Sequence, residues 1–340
     1  MSEAMKAVVN TSLLPDGAGL AIQKVNVPEL SRGEVLVRVR VSTVSPADHM
    51  LTEGGYYFPR EAPFVPGLAA VGEIVDHRAG LYGRYLTGKR VFFAPGYERD
   101  GTWSEFAVAD ANAVVPLGDL DDERAVSLGN ALTAVGLVET ARDLRGSGVV
   151  VNAAGGNLAG LIAERRKAVG MKMVAIVRKD EEVRDLQAAG AAEVVLNQTD
   201  ADFAEQLESA ADRLDARVLI DSLGGGASAG MMKALPRGST VLVIGHLSRQ
   251  PMTFDALPLL LGRSQTVRAF GLVEWMDGLS LPRLLLASRN AQALVRGHAA
   301  MPVRHRYSLE QLVERFTSAT RGTSEGRTLV FPNGDPASAV

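Results

Sequence analysis

The chain has 340 residues, 46% hydrophobic and 22% charged, with 36 basic against 39 acidic side chains and a formal net charge of −3. That length points to two domains of about 150 residues each, and the charge balance supplies none of the positive field that a nucleic-acid backbone requires. Cysteine is absent, which excludes disulfides, thiolate nucleophiles, iron–sulfur clusters and cysteine-containing zinc sites, so any redox chemistry has to come from a bound cofactor.

The histidines His49, His77, His246, His298 and His305 fall without HxxxH or HxH spacing, and no metal site is expected from them. The opening MSEAMKAVV lacks a basic segment followed by a long apolar one, and no apolar run approaches the roughly 18 residues needed to span a bilayer. A cytoplasmic protein without membrane or nucleic-acid partners is the expectation.

The first 118 residues carry short β-type runs at Lys6–Val9, Gly33–Val44, Ala69–Asp76, Lys89–Ala94 and Trp103–Ala109, punctuated by Pro and Gly, and read as an all-β region. From Asp121 the texture changes to DDERAVSLGNALTAVGLVETARDL, with acidic residues early and apolar residues at helical spacing. Strands and helices then alternate. GVVVNAA precedes a helix over about Asn157–Val169, and KMVAIV one over Glu181–Ala189. EVVLN precedes a helix over Asp202–Leu214, RVLIDSL one over Ser228–Leu235, and STVLVIGH closes the series. Nearly continuous Val/Ile/Leu strands in β-α-β-α order predict a doubly wound parallel sheet covered on both faces. A helix over about Leu281–His298 and a strand–helix–strand tail ending in GRTLVF do not extend that series and are expected to return to the first domain. The expected division is 1–122 for a β-rich catalytic domain, 123–272 for the cofactor domain and 273–340 for the return.

The strand GVVVNAA runs directly into Gly155, Gly156, Asn157, Leu158 and Ala159 and then a helix. Small residues let a diphosphate approach the backbone, and the helix N-terminus offers free N–H groups and a positive dipole end. A glycine turn alone is a weak signal; strand, turn, helix and second strand in order make a stronger one. Arg178 and Lys179 follow the second strand, 22 and 23 residues after Gly156, where NAD-selective sites usually carry a carboxylate for the ribose hydroxyls. Two cations there suit a 2′-phosphate. At roughly 1.5–3 kcal/mol per charge-assisted hydrogen bond they would favour NADPH about a hundredfold. The alternatives are a solvated basic pair, or a strand ending two residues later, which brings Asp180 to the ribose. Gly245 and His246 end another strand of the series, where ligands gather in such sheets.

The ordered segments MKAVV, GEVLVRVRVSTVSPADHML, PFVPGLAAVGEIV, GKRVFF, GTWSEF, GNALTA, NAAGGNLAG, DSLGGG, VIGHLSRQP, FGLVEW and GRTLVF resemble the medium-chain dehydrogenase/reductase superfamily. The likeness is to its zinc-independent quinone oxidoreductase and mitochondrial-type 2-enoyl thioester reductase branch, over nearly all of residues 5–332. It implies a GroES-like catalytic domain beside the Rossmann domain, and a homodimer paired along Thr266–Leu272. Zinc-dependent members carry Gly-His-Glu where this chain has Gly67-Leu68-Ala69, and a cysteine at or near Ser45, so the resemblance implies metal-free chemistry. Asn157 and Ala159 stand where the family usually has glycine; alanine is tolerated at the second of these places, and the asparagine implies a narrower pyrophosphate groove. Gly271 stands where the thioester reductases have tryptophan, which implies a reshaped substrate pocket.

Tyr56 resembles the tyrosine placed near the reacting carbons, with Tyr57 the alternative through a one-residue slip, and its phenol is protonated at neutral pH and able to donate to an enolate. Asn130 and Thr133 resemble residues facing the nicotinamide and its ribose, although Asn130 would also serve as a helix cap. Leu223, Phe270 and Leu272 fall in matching cofactor segments, and Arg327 matches a basic residue that reaches the NADPH phosphate. Trp103 reads more as a core aromatic than as a substrate contact. The functions implied are NADPH-dependent reduction of enones or enoyl thioesters, NADPH:quinone reduction, or, from another class, NADPH binding without catalysis in a sensor or scaffold.

Overall fold

The computed structural model describes residues 4–58, 60–144, 146–298, 301–320 and 326–334. The chain forms two compact units, one of Met1–Gly129 with Ala299–Val340 and one of Asn130–His298. In chain order the first opens with strands β1 (Ala4–Asn10), β2 (Leu20–Asn26) and β3 (Glu34–Val44), helix α1 (Pro46–Thr52) and strand β4 (Ala70–His77). It goes on through helix α2 (Gly80–Leu86), strands β5 (Arg90–Phe93), β6 (Phe106–Asp110) and β7 (Val115–Pro116), and helix α3 (Asp122–Ala125).

Helix α4 (Leu128–Asp143) leads into β8 (Gly148–Val151), α5 (Asn157–Ala168), β9 (Lys172–Val177), α6 (Asp180–Ala188), β10 (Val194–Asn197) and α7 (Phe203–Leu214). The series continues with β11 (Ala216–Asp221), α8 (Gly225–Ala234), β12 (Thr240–Val243), β13 (Thr266–Ala269), α9 (Leu272–Asp277) and α10 (Leu281–Gly297). The return consists of β14 (Val303–Tyr307), α11 (Leu309–Glu314), α12 (Phe316–Thr320) and β15 (Arg327–Val330).

The first unit is built on β3. Its alternation buries Val35, Val37, Val39 and Val41 and exposes Arg38 and Arg40, as a strand with one covered face requires. Along the seven-stranded sheet the order is β14-β15-β3-β4-β5-β7, with β6 also paired to β3. The β15–β3 pairing is antiparallel and brings the C-terminal segment into the sheet. Trp103 is fully buried, donates its indole N–H to the Thr43 carbonyl at 3.1 Å, and meets Phe316 edge-on at 5.9 Å.

This region is not all-β, as its texture suggested. Helix α1 forms because Ser45 and Asp48 make a reciprocal capping box with Pro46 at the first position. Both α1 and α2 are seven residues long, too short to show a helical period. Strand β6 begins later than the run from Trp103, because Ser104 bridges to Ala7 instead.

The second unit holds a six-stranded, wholly parallel sheet in the order β10-β9-β8-β11-β12-β13. Numbered within the unit this is 3-2-1-4-5-6, the doubly wound dinucleotide-binding order, whose direction of winding reverses between β8 and β11. Val149, Val150, Val174, Ala175, Ile176, Leu219 and Ile220 are all sealed from solvent, since helices cover both faces. On one face Leu207, Ala210, Ala211, Met231 and Met232 pack against Val150, Val174 and Leu219, and each fully buried side chain of leucine size contributes roughly 1.5–3 kcal/mol. Among the described residues no helix is long and apolar enough to cross a membrane.

Candidate functional site

Because the second sheet is parallel, the segments after its strands all emerge at one edge. The turn after β8, the basic pair after β9, and the residues after β11, β12 and β13 are thereby gathered. The expected cofactor residues Gly155, Gly156, Asn157, Leu158 and Ala159, Arg178 and Lys179, Leu223, Gly245 and His246, and Phe270 and Leu272 all lie in or next to these segments.

Asn157, Leu158 and Ala159 form the first turn of the twelve-residue α5, whose N-cap, Gly156, provides no side-chain cap. The first N–H groups of the helix are therefore left for a ligand or solvent. Arg165, Arg166 and Lys167 occupy the last turn, where cations suit the opposite end of the helix dipole. A Cβ on Gly156 would meet only the Ala153 carbonyl, at 3.4 Å, and Ala153 itself takes a left-handed φ of 50°, so the turn is tight. A small-residue turn leading into an uncapped helix at the switch point fits a dinucleotide diphosphate.

Three side chains not expected from the sequence hold this edge in place. Asn152, directly after β8, donates from Nδ2 to Asp221 Oδ1 at 2.6 Å and accepts the Ser222 N–H at 2.8 Å. Asp221 Oδ1 also accepts from Ser228 Oγ at 2.6 Å and from the N–H groups of Leu223 and Gly224 at 3.0 and 3.1 Å. All three side chains are buried. This network ties the two strands that flank the switch point. The loop after β12 joins it, with Leu247 N–H donating to the Ser222 carbonyl at 3.1 Å and Ser248 N–H to that of Leu223 at 2.9 Å. A Cβ on Gly245 would stand 2.8 Å from the Ser222 carbonyl oxygen, so glycine is required for that approach. Exposed His246 lies beside Gly224.

Arg178 and Lys179 are exposed, and the first turn of α6 that follows them is acidic, with Asp180, Glu181 and Glu182. Strand β9 ends at Val177, and Asp180 accepts from Asn197 Nδ2 at 2.7 Å, which turns it toward the end of β10. Glu182 instead reaches back across the turn. Its Oε1 is 2.7 Å from where a Cβ on Gly155 would sit, and its Oε2 accepts the Arg178 N–H at 3.3 Å.

Asn130 is the third residue of α4 and so lies inside the helix instead of capping it; Thr133 follows one turn later on the same face. Further along that helix Gly136 lets Phe270 and Trp275 approach, their nearest ring atoms 2.7 and 2.9 Å from a hypothetical Cβ. Gly271 has Glu274 Oε2 1.9 Å from its own Cβ position, so the carboxylate takes space that a tryptophan would need.

In the first unit Tyr56 is half-buried, its ring 4.6 Å from that of Tyr57 and 4.8 Å from that of Phe58. Tyr57 is 60% exposed and donates its hydroxyl to that of Tyr97, while the Phe58 and Tyr97 rings lie 3.9 Å apart. Arg327 is committed to its own surroundings. Its guanidinium donates to the carbonyls of Met301 (3.0 Å) and Glu123 and to Ser127 Oγ (3.2 Å), and burial holds its pKa below the ordinary value.

Between Ser45 and Leu68, Asp48 is buried. It accepts the Ser45 N–H at 2.9 Å and the Leu68 N–H at 2.9 Å, and burial raises its pKa to about 6. Elsewhere, Asp16, His49 and Glu53 bring ligand-type atoms within 4.8 Å of one another, with Asp16 exposed and His49 Nε2 3.0 Å from Glu53 Oε1.

Residues 31–119 match the model of the alcohol dehydrogenase GroES-like domain and residues 156–281 that of zinc-binding dehydrogenases. Human mitochondrial enoyl-[acyl-carrier-protein] reductase is 25% identical over 250 residues, 71% of this chain and 65% of the human protein, so the alignment falls just short of two thirds of that relative. The crystal structure of a candidate NADPH:quinone reductase from Mesorhizobium loti superposes with a TM-score of 0.88 at 25% identity, covering 98% of this chain and 99% of that one. A mycobacterial protein complexed with NADPH has a TM-score of 0.78 at 21% identity, covering 96% and 100%. The two family models together cover more than half of the chain, and with the β-rich unit and the 3-2-1-4-5-6 sheet they show that it belongs to the medium-chain dehydrogenase/reductase superfamily.

Proposed function

We propose that the protein is an NADPH-dependent oxidoreductase that reduces the C=C bond of α,β-unsaturated carbonyl or enoyl thioester substrates without a metal. The observation that carries this reading is the uncapped N-terminus of α5 behind the Gly155-Gly156 turn, at the switch point of a 3-2-1-4-5-6 sheet. The names of the human and Mesorhizobium relatives support the reaction class and the cofactor. When bound, NADPH supplies a hydride.

The protein's own contribution is to hold and orient. Asn157, Leu158 and Ala159 present N–H groups to the diphosphate, Gly155 and Gly156 admit it, and Arg178 and Lys179 answer the 2′-phosphate. Leu223, Gly245, His246, Phe270 and Leu272 line the same sheet edge, Asn130 and Thr133 orient the nicotinamide end, and Arg327 braces the return segment. Tyr56 donates its phenolic proton to the oxygen on which charge builds. Metal-free chemistry is supported by the absence of cysteine and by the Asp48 tether between Ser45 and Leu68.

NADPH consumption across enones, enoyl thioesters and quinones, with Tyr56→Phe alongside the wild type, tests the reading. Enoyl turnover should fall at least about a hundredfold in the variant, as loss of a general acid does, while quinone reduction stays near wild type. NADPH that binds without being consumed on any substrate would instead make the protein a sensor or scaffold.

Quinone reduction is the second reading, favoured by the packed rings of Tyr56, Tyr57, Phe58 and Tyr97, whose exposed Tyr57 offers a face for a planar ring. A cytoplasmic location and a homodimer complete the proposal. The pairing is supported by β13, a sheet-edge strand with Thr266, Arg268 and Ala269 exposed, and by Leu257 and Leu261 just before it, 71% and 75% exposed.

A further inference from the structure

The three acidic residues that open α6 are not equivalent. Asp180 is held by Asn197, whereas Glu182 folds back, with Oε1 2.7 Å and its carboxyl carbon 3.2 Å from the Cβ position of Gly155 and Oε2 on the Arg178 N–H. A carboxylate therefore spans the two places a dinucleotide must use, the turn after the first strand and the end of the second. The first faces the diphosphate and the second the adenosine ribose. An anion at this junction acts oppositely on the two nicotinamide cofactors. It can accept hydrogen bonds from the free 2′- and 3′-hydroxyls of NADH, and it repels the 2′-phosphate of NADPH.

We propose that Glu182 is a specificity-determining residue that offsets Arg178 and Lys179, holding down the preference for NADPH and keeping NADH a competent ligand of the same site. The inference rests on the reading of that site as a nicotinamide dinucleotide site. Sequence spacing hides the residue, because it lies three positions beyond the basic pair and reaches the site only by bending back toward the start of its own helix.

The test is equilibrium binding of NADPH and of NADH, each measured by nucleotide fluorescence and by calorimetry, to the folded wild type, Glu182→Gln and Lys179→Ala. Glutamine keeps the shape and removes the charge, so the ratio of NADPH to NADH affinity should rise about tenfold in Glu182→Gln, as one lost charge repulsion near a surface predicts. In Lys179→Ala the ratio should fall, which reports that the 2′-phosphate is read at this end of the site. A ratio in Glu182→Gln within about twofold of wild type, or an equal loss for both nucleotides, overturns the role of Glu182 while leaving the dinucleotide site intact. Failure of the wild type to bind either nucleotide overturns the site itself and the inference with it.

Discussion

Asp48 shows how much one side chain can decide where neighbouring motifs suggest something else. Its carboxyl is buried among the N–H groups of Ser45 and Leu68 and the Ser45 hydroxyl, and desolvation outweighs these donors, raising its pKa to about 6. Between the usual carboxylate value and about 6 the folded protein retains a proton that the unfolded chain has released. The site's contribution to stability is therefore full under more acidic conditions and is lost as pH rises through that window, by ~3 kcal/mol in all. Asparagine does not titrate, so the stability of wild type minus that of Asp48→Asn should decline by about 2 kcal/mol of this total between about pH 4 and pH 6.5. Urea unfolding at the two pH values measures it, and a difference that stays constant would mean that Asp48 does not carry the shifted titration. The capping half of this arrangement is legible in the tetrapeptide Ser45-Pro46-Ala47-Asp48. The Leu68 half is not, because it joins residues twenty apart through a loop that has no period.

At the scale of elements, what the sequence revealed follows from how many faces of each element are covered. Strands β8, β9 and β11 are buried on both sides and stand out as nearly continuous apolar runs, whereas β2 is mostly exposed along its length and left no comparable mark. The turn after β8 was readable because glycines, strand and helix are contiguous. The Asn152–Asp221–Ser228 network was not, since the bond that brings Asn152 to Asp221 joins residues 69 apart and nothing local distinguishes such an asparagine from a surface one. Helix α4 shows the same divide. Its apolar content is plain, yet its pairing with the FGLVEW segment depends on the missing side chain at Gly136, against which Phe270 and Trp275 rest. Gly136→Val should force both rings away and lower the unfolding free energy by about 1–3 kcal/mol, the usual cost of overfilling a packed contact. Tryptophan fluorescence should shift in the native state of the variant, because one of the two tryptophans is Trp275. An unchanged spectrum together with unchanged stability would show that this contact is not packed as described.

For the whole molecule, the sheet order that concentrates the cofactor residues at one edge also leaves β13 as an outermost strand. A four-residue strand with Thr266, Arg268 and Ala269 exposed and, among the described residues, a strand neighbour on one side only presents an open backbone edge of the kind that soluble proteins normally cover or pair. Leu257 and Leu261, in the helical turn that precedes it in the chain, are large exposed apolar side chains. Pairing β13 with the same strand of a second copy about a two-fold axis would satisfy the backbone groups and bury both leucines at once, with each patch meeting its own symmetry mate. Replacing Leu257 and Leu261 together by glutamate puts two charges into each half of such an interface, and so four in all, without touching the dinucleotide turn. Sedimentation equilibrium should then show a dimer for the wild type at about ten micromolar and a monomer for the double variant, a weakening of roughly a hundredfold or more for charges buried without partners. NADPH affinity per chain should be retained, since the substituted turn lies outside the segments that hold the cofactor. A wild type that is monomeric at this concentration, or a double variant that dimerises as well as the wild type, would leave β13 and its two leucines without the role assigned to them.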